Sequence, residues 1–373
     1  MQHIFNSLKV VELASVLAGP SVGQFFAELG AQVIKVENPL TRGDVTRGWT
    51  LSDELAEGGV SAYFSSVNAG KQSVSLDLKN TEDHANLLAL IAAADLLVVS
   101  FKPGDAEKLG LSYEQLKDQY PQLIYAEITG YGMDNPKVGY DAVLQAETGF
   151  MYINGEPNGP SLKMPVALID VLAAHQLKEA VLLAYIHRLK SEEGSKVSVS
   201  LFDAAVSSLS NQATNFLIAG KNPQKLGTEH PNIAPYGKLY HSADGEEIIL
   251  AIGNDKQFRT LCAVLGISEI AESLDYKRNE KRVLNRVLLN QKLENAIGKW
   301  KSHELLKALV IVKVPAGKLN SVEEVFQLKE TQELVLKNAK GEAVGLRNFI
   351  GQLSFCSKIS HLSPPPPFVA DKG

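Results

Sequence analysis

"LKVVELASVLAGPSVGQFFAELGAQVIKVE" (Leu8–Glu37) sets two short apolar runs on either side of a segment with helical spacing. "LKVVEL" and "AQVIKVE" read as strands, and "SVGQFFAELG" reads as a short amphipathic helix closed by Gly30. The pattern then recurs. "TEDHANLLALIAAA" is a helix, "DLLVVSF" a strand, "SYEQLKDQY" a helix and "QLIYAEITGYG" a strand. The strands are continuous apolar runs rather than alternating ones, as expected when helices cover both faces of a parallel sheet. The fold class predicted is α/β, with a Rossmann-like, doubly wound large domain.

The 373 residues exceed what one core usually organises, so a second domain is expected. A long helix follows Asp170 and ends near Gly194; "KVSVSLFDAAV" then offers a further strand, and "SSLSNQATNFLIAG" a connecting helix. After Gly227 the character changes. "YGKLYHSADGEEIILAIGN" is a hairpin signal around Asp244-Gly245, and helical patterns run to about Trp300. Ser321 and Glu324 form a capping-box pair, and "HLSPPPPFVADKG" is a polyproline-like tail. The organisation predicted is a large α/β domain in 1–205, a linker helix in 206–226, a small α+β domain in 227–316, and a return to the large domain in 317–373.

Apolar residues make up 45% and charged residues 21%, as in soluble globular proteins, and the net charge of -5 argues against general nucleic-acid binding. No apolar run approaches the ~20 residues of a membrane span. "MQHIFNSLKVVELAS" lacks a basic segment followed by a long apolar run, so no signal peptide is expected. Cys262 and Cys356 lie far apart and form no metal or redox spacing, which suits a reducing, cytoplasmic setting without a bound metal.

Three motifs carry candidate chemistry. "GPSVG" (Gly19–Gly23) matches the G-x-S-x-G elbow and makes Ser21 a serine-hydrolase candidate, but only one strand precedes it. The plainer reading is a tight turn exposing backbone N–H groups at a helix start. The dinucleotide fingerprint and the Walker A pattern are absent. Basic residues Arg42, Arg47, Lys71, Lys102 and Lys108 fall beyond strand ends or in the loops between elements, where an open α/β sheet binds its ligand. Several cations reaching one crevice would suit a polyphosphate; any single one is more often a solvated surface charge. Asp170, in "MPVALIDVLAAHQ", reads either as an N-cap or as an ionised carboxylate at a helix start, able to attack an activated acyl group. His175, five residues on, would not share its face.

Taken together and in order, several stretches resemble the class III CoA-transferase family, which includes α-methylacyl-CoA racemases. They are "LAGPSVGQFFAELGAQVIKVENPLTRGDVTRGW", "NAGKQSVSLDLK", "GYDAVLQAETGFM", "IDVLAAHQ", "HPNIAPYGKLYHSADGEEIILAIGNDKQFRTLC", "VPAGKLNSV" and "LSPPPP". The resemblance implies an interlocked homodimer, with the large domain built from both chain ends. It implies that Asp170 is the nucleophile, giving an acyl-aspartyl anhydride and then an aspartyl-CoA thioester. Coenzyme A and acyl-CoA enter as substrates, with no permanently bound cofactor. The CoA phosphates and adenine are implied over the loops holding Lys71, Phe101, Lys102 and Lys108, with Arg47 in the same basic set.

Tyr140 in "GYDAV" matches the active-site tyrosine of transferase members, where racemase members carry histidine. A phenol, with its ordinary pKa of ~10, is a poor proton acceptor near neutrality, which favours transfer over racemisation. Leu17 stands where formyl-CoA:oxalate members carry glutamine, so an oxalate acceptor is disfavoured. Their glycine-rich shielding loop is reduced to "AIGND", around Gly253. The closer resemblance is to members acting on dicarboxylic acids such as succinate or glutarate. The rival readings are an α-methylacyl-CoA racemase, a serine hydrolase using Ser21, and a non-catalytic acyl-CoA binder.

Overall fold

The computed structural model describes residues 3–55, 57–132, 135–356, 359 and 361–369. The chain forms two compact units: residues 1–148, 164–210 and 330–373 make the first, and residues 149–163 with 211–329 make the second. The second unit is wider than the span of 227–316 expected from the sequence, because it takes in 149–163, residues 211–226 of the segment expected as a linker helix, and 317–329, which were expected to return to the large domain.

The first unit is built on a six-stranded parallel sheet. Its strands are β1 (Lys9–Leu13), β2 (Gln32–Glu37), β3 (Gln72–Ser75), β4 (Leu96–Val99), β5 (Ile124–Thr129) and β6 (Ser195–Ser200), in the order β3-β2-β1-β4-β5-β6. Val10 of β1 pairs with Val33 of β2 on one side and Leu96 of β4 on the other. Alternate residues face opposite layers. Val11, Leu97, Val99 and Tyr125 pack with Leu87, Ile91, Leu111 and Leu116 on one face. On the other face lie the first helix (Ala18–Glu28) and the long helix (Leu168–Ser191), which pack against each other; the first also meets β1 and β4, the long one β5 and β6. A two-stranded antiparallel ribbon, β10 (Val335–Lys337) with β11 (Ala343–Leu346), closes this unit from the end of the chain.

Two local readings change. β3 lies inside "NAGKQSVSLDLK", where no strand was expected: it is a short edge strand with polar, half-buried residues and so lacks the apolar run of its neighbours. "KVSVSLFDAAV" is not one strand. It turns at Ser200, whose hydroxyl oxygen accepts the Asp203 N–H at 2.9 Å and caps a helix, Leu201–Ser208.

The second unit holds a three-stranded antiparallel sheet of β7 (Tyr236–His241), β8 (Glu247–Ala251) and β9 (Ala316–Lys318). Tyr240, Ile248, Leu250, Phe258, Leu289 and Leu305 share its core. The Ser321–Glu324 capping box forms as expected. Lys318 bridges Glu246 at 3.0 Å and Glu324 at 2.9 Å, tying β9 to that capped helix.

Candidate active site

The long helix brings Asp170 into view. Its N-cap position is Ala167, which offers no side-chain cap, and Asp170 lies in the first helical turn rather than ahead of it. The capping role belongs to another residue: Asp141 Oδ1 accepts the Ile169 N–H at 2.8 Å. The Asp170 carboxyl, 6% exposed, accepts no hydrogen bond from the described residues. Burial, and then the charge of Asp141, push its pKa up to about 7. The helix dipole alone was expected to keep this group ionised; desolvation outweighs it.

The motif "GYDAV" explains how Asp141 arrives there. Gly130, just after β5, and Gly139 approach so closely that a Cβ built on Gly130 would lie 2.4 Å from the Gly139 nitrogen. This contact fixes the start of the helix Asp141–Glu147, with Tyr140 in extended conformation at its N-cap and 59% exposed. Gln145, on the same helix, donates to Asp141 Oδ2 at 2.8 Å and accepts the Met164 N–H at 2.8 Å. The loop entering the long helix is thereby pinned to the Tyr140–Asp141 turn. Tyr63, absent from the sequence-based candidates, lies near enough to feel the two carboxylates: burial first, then Asp170 and Asp141, raise its phenol pKa. A tyrosine in "SAYF" carries no local signal of that placement.

A crevice of about 350 Å³ opens where the strand order reverses, at the carboxyl ends of β1 to β4, with Ser15, Asn38, Leu76, Lys79, Ser100 and Phe101 in its lining. An open α/β sheet binds ligands at this place. Phe101 lines it and Lys102 follows, exposed; Lys108 is exposed and paired with Asp105 at 2.9 Å. Lys79 is a further cation at the crevice, overlooked because it stands in a polar turn like many surface lysines. Leu17 occupies the N-cap position of the first helix and is half-buried.

Lys71 and Arg47 depart from their expected place. Both were counted among cations reaching a phosphate, and both ammonium and guanidinium groups are enclosed. Lys71 Nζ lies 2.7 Å from Glu12 Oε2, 2.9 Å from Asn68 Oδ1 and 2.8 Å from the Pro20 carbonyl. Burial holds its pKa down at about 8 in spite of Glu12. Arg47 grips Glu37 with Nε at 2.8 Å and Nη2 at 2.6 Å, donates to the Pro366 carbonyl at 3.0 Å, and stacks on Phe64. Lys35 joins Glu12 at 3.1 Å to Asp44 at 2.9 Å. Asp44 in turn accepts the Val16 N–H at 3.2 Å, holding Val16 at φ 70°. A positive φ is an outlier for a β-branched residue, and here the buried ion network over-determines it. Sequence alone does not distinguish a lysine that faces a crevice from one that lies beneath it.

The glycines of "GPSVG" serve packing. A Cβ at Gly19 would lie 2.4 Å from the Ala14 Cβ, and one at Gly23 would lie 2.0 Å from Glu12 Oε2, so both let the first helix settle onto β1. Ser21 is within that helix, 6% exposed, and its Oγ accepts from Asn348 at 2.7 Å and Lys178 at 3.1 Å. No exposed elbow forms. Gly253 follows β8 in the second unit, exposed, with its N–H donating to Gln257 Oε1 at 2.9 Å. Among the described residues there is no group of His, Cys, Asp or Glu fit to hold a metal, and no helix long and apolar enough to cross a membrane.

Comparison with known proteins converges on one family. A succinate–glutarate CoA-transferase from Agrobacterium fabrum is 42% identical over 88% of this chain and 82% of its own length. The human succinyl-CoA:glutarate CoA-transferase is 34% identical over 86% of this chain and 73% of its own. The crystal structure of a CaiB/BaiF family protein from Brucella suis superposes with a TM-score of 0.84 at 38% identity, covering 98% of this chain and 96% of that one. A family model for CoA-transferase family III matches residues 5–362, and the chain belongs to that family, as an enzyme that transfers CoA between an acyl-CoA and a carboxylic acid.

Proposed function

We propose that this enzyme moves CoA from succinyl-CoA, or a similar acyl-CoA, to a dicarboxylic acid, with Asp170 as the nucleophile. The observation that carries this reading is the Asp170 carboxyl itself: buried, without a hydrogen-bond partner among the described residues, and pushed up to about 7. Keeping an unpaired charge out of water is costly, and a structural cap would have been better served by pairing it. A carboxylate so placed is more basic, and therefore more nucleophilic, than a solvated one.

In the first step an Asp170 carboxylate oxygen attacks the thioester carbonyl; the C–S bond breaks and CoA leaves as thiolate. The thiolate then attacks the aspartyl carbonyl of the anhydride, giving an aspartyl-CoA thioester and releasing the donor acid. The acceptor carboxylate displaces CoA to form a second anhydride. Thiolate attack on its acyl carbonyl yields the new acyl-CoA and regenerates Asp170. Activated carbonyls of similar energy are exchanged throughout, so positioning and electrostatics carry the rate.

Phe101, Lys102, Lys108 and Leu17 are the proposed CoA contacts, Tyr140 the proposed companion of Asp170, and Gly253 a proposed substrate-loop residue. The succinate and glutarate preference rests on the names of the relatives and on Leu17 in place of an amide. An interlocked homodimer acting in the cytoplasm belongs to the same proposal.

One observation favours a second reading. A carboxyl near pKa 7 is also suited to moving an α-proton, as in a racemase. The deciding experiment is peptide mass spectrometry after incubation with a panel of acyl-CoA donors that includes succinyl-CoA, with hydroxylamine trapping. A modification on Asp170, absent in Asp170→Ala, is expected. Deuterium exchange at the α-carbon of an acyl-CoA, with Asp170 unmodified during turnover, would replace transfer by racemisation.

A further inference from the structure

We propose that Asp141 is the positioning residue of the nucleophile: one of its oxygens caps the first turn of the long helix at Ile169, and its charge faces the Asp170 carboxylate. The inference rests on the reading of Asp170 as nucleophile and adds a second carboxylate with a separate task.

The geometry is specific. Ala167 provides no side-chain cap, so the Ile169 N–H, next to Asp170 in the chain, is held by Asp141 Oδ1 at 2.8 Å. The other oxygen, Oδ2, is held at 2.8 Å by Gln145, which is itself 1% exposed and anchored to Met164. Asp141 therefore has little rotational freedom, and the first turn of the long helix follows its position. A carboxylate at a helix N-terminus is favourable in itself. Here the same charge repels ionisation of Asp170 and adds to burial in keeping that carboxyl basic.

The other groups around the pair do not offset this. Tyr63 lies within reach of both charges; burial first, and then those charges, raise its phenol pKa, so it stays a neutral group near pH 7. On the long helix, His175 is exposed and Lys178 points to Ser21. From the packed neighbours, Glu28 of the first helix accepts the Asn348 and Phe349 N–H groups, Lys196 of β6 pairs with Glu127 of β5, Asp203 pairs with Ser200, and Glu147 pairs with Lys137. No cation neutralises Asp170 among the described residues.

Asp141→Asn tests the charge while keeping an oxygen for the Ile169 cap; Asp141→Ala removes both. The full-length enzyme is assayed for CoA transfer from succinyl-CoA to glutarate across pH 5 to 9. In parallel, Asp170 ionisation is followed by NMR of carboxyl-13C aspartate, assigned with Asp170→Asn. In Asp141→Asn the Asp170 titration and the acidic limb of the kcat/KM profile are expected to move together to lower pH. The kcat plateau should fall roughly 3- to 10-fold with the loss of nucleophile basicity. Asp141→Ala should lose a further ~10-fold or more in kcat, because a displaced first turn moves the reacting oxygen.

An Asp170 titration and acidic limb unchanged in Asp141→Asn, with wild-type kcat, overturn the proposal. A merely structural role for Asp141 would lower stability and leave the profile where it was, which also overturns it. Adduct mapping on Asp170 in the wild type reports separately on the nucleophile. If the titration moves but no adduct forms, the charge coupling stands and the nucleophile reading fails.

Discussion

Replacing Asp170 by asparagine should stabilise the protein in alkali while abolishing transfer. The carboxyl is pushed from its ordinary 3.8 up to about 7 on folding, so the folded chain binds the proton more tightly than the unfolded chain does. Stability is therefore undiminished by this group below pH 3.8, declines as pH rises through the window from 3.8 to about 7, and stays low above it. At ~1.4 kcal/mol per pH unit the cost reaches about 4 kcal/mol at pH 8. Asparagine carries no charge, but its buried amide group returns a cost of ~1–3 kcal/mol for lack of a partner. The net expectation is a gain of about 2 kcal/mol at pH 8, read as a rise in melting temperature of roughly 2–4 °C. Below about pH 5 the relieved charge no longer covers the amide, and the variant should melt at or below the wild type. Calorimetry of both proteins at pH 8 and pH 4.5 measures the two differences. A variant less stable at pH 8, or a difference that is the same at both pH values, would falsify the claim that Asp170 sits as a strained, desolvated acid.

Other perturbations separate scaffold from site. Lys71→Met leaves Glu12 with Lys35 as its remaining cation and should cost ~3–5 kcal/mol in urea denaturation, with little change in the KM for acyl-CoA. A stable variant with a strongly raised KM would return Lys71 to the ligand. Arg47→Lys breaks the two-point grip on Glu37 and the stacking on Phe64, and should cost about 2 kcal/mol in thermal or chemical melts. If its stability matches the wild type, the network is not what holds this turn. Tyr140→Phe removes a phenol from an exposed ring and should leave the melting temperature unchanged while lowering kcat by ~10- to 100-fold; an unchanged kcat would take Tyr140 out of the chemistry. Ser21→Ala should keep transfer activity and lose ~1 kcal/mol with the Asn348 hydrogen bond. Abolished turnover in a folded Ser21→Ala protein would revive the hydrolase reading.

The sequence by itself determined the large-domain architecture. Apolar runs such as "DLLVVSF" and "QLIYAEITGYG" can be satisfied only where helices cover both faces of a sheet, and the observed β4 and β5 are both interior strands, each paired on two sides. It missed β3, because an edge strand needs no apolar run, and it overran β6, because a serine cap ends a strand without interrupting the apolar pattern. At the site, the position of Asp170 at the head of a long helix was legible as a one-dimensional pattern of caps and apolar spacing. What that carboxylate does was not. Its desolvation, the Ile169 cap supplied by Asp141 28 residues earlier, and the electrostatic coupling to Tyr63 all join segments distant in the sequence. The same holds for the cations. Lys71, Arg47, Lys102 and Lys108 look alike as charges in loops, and only the tertiary structure divides them, enclosing the first two in ion pairs beneath the turn and leaving the last two in water. Local sequence fixes where a side chain starts along the chain; burial and charge neighbours, which set its pKa and its chemistry, are properties of the packed whole.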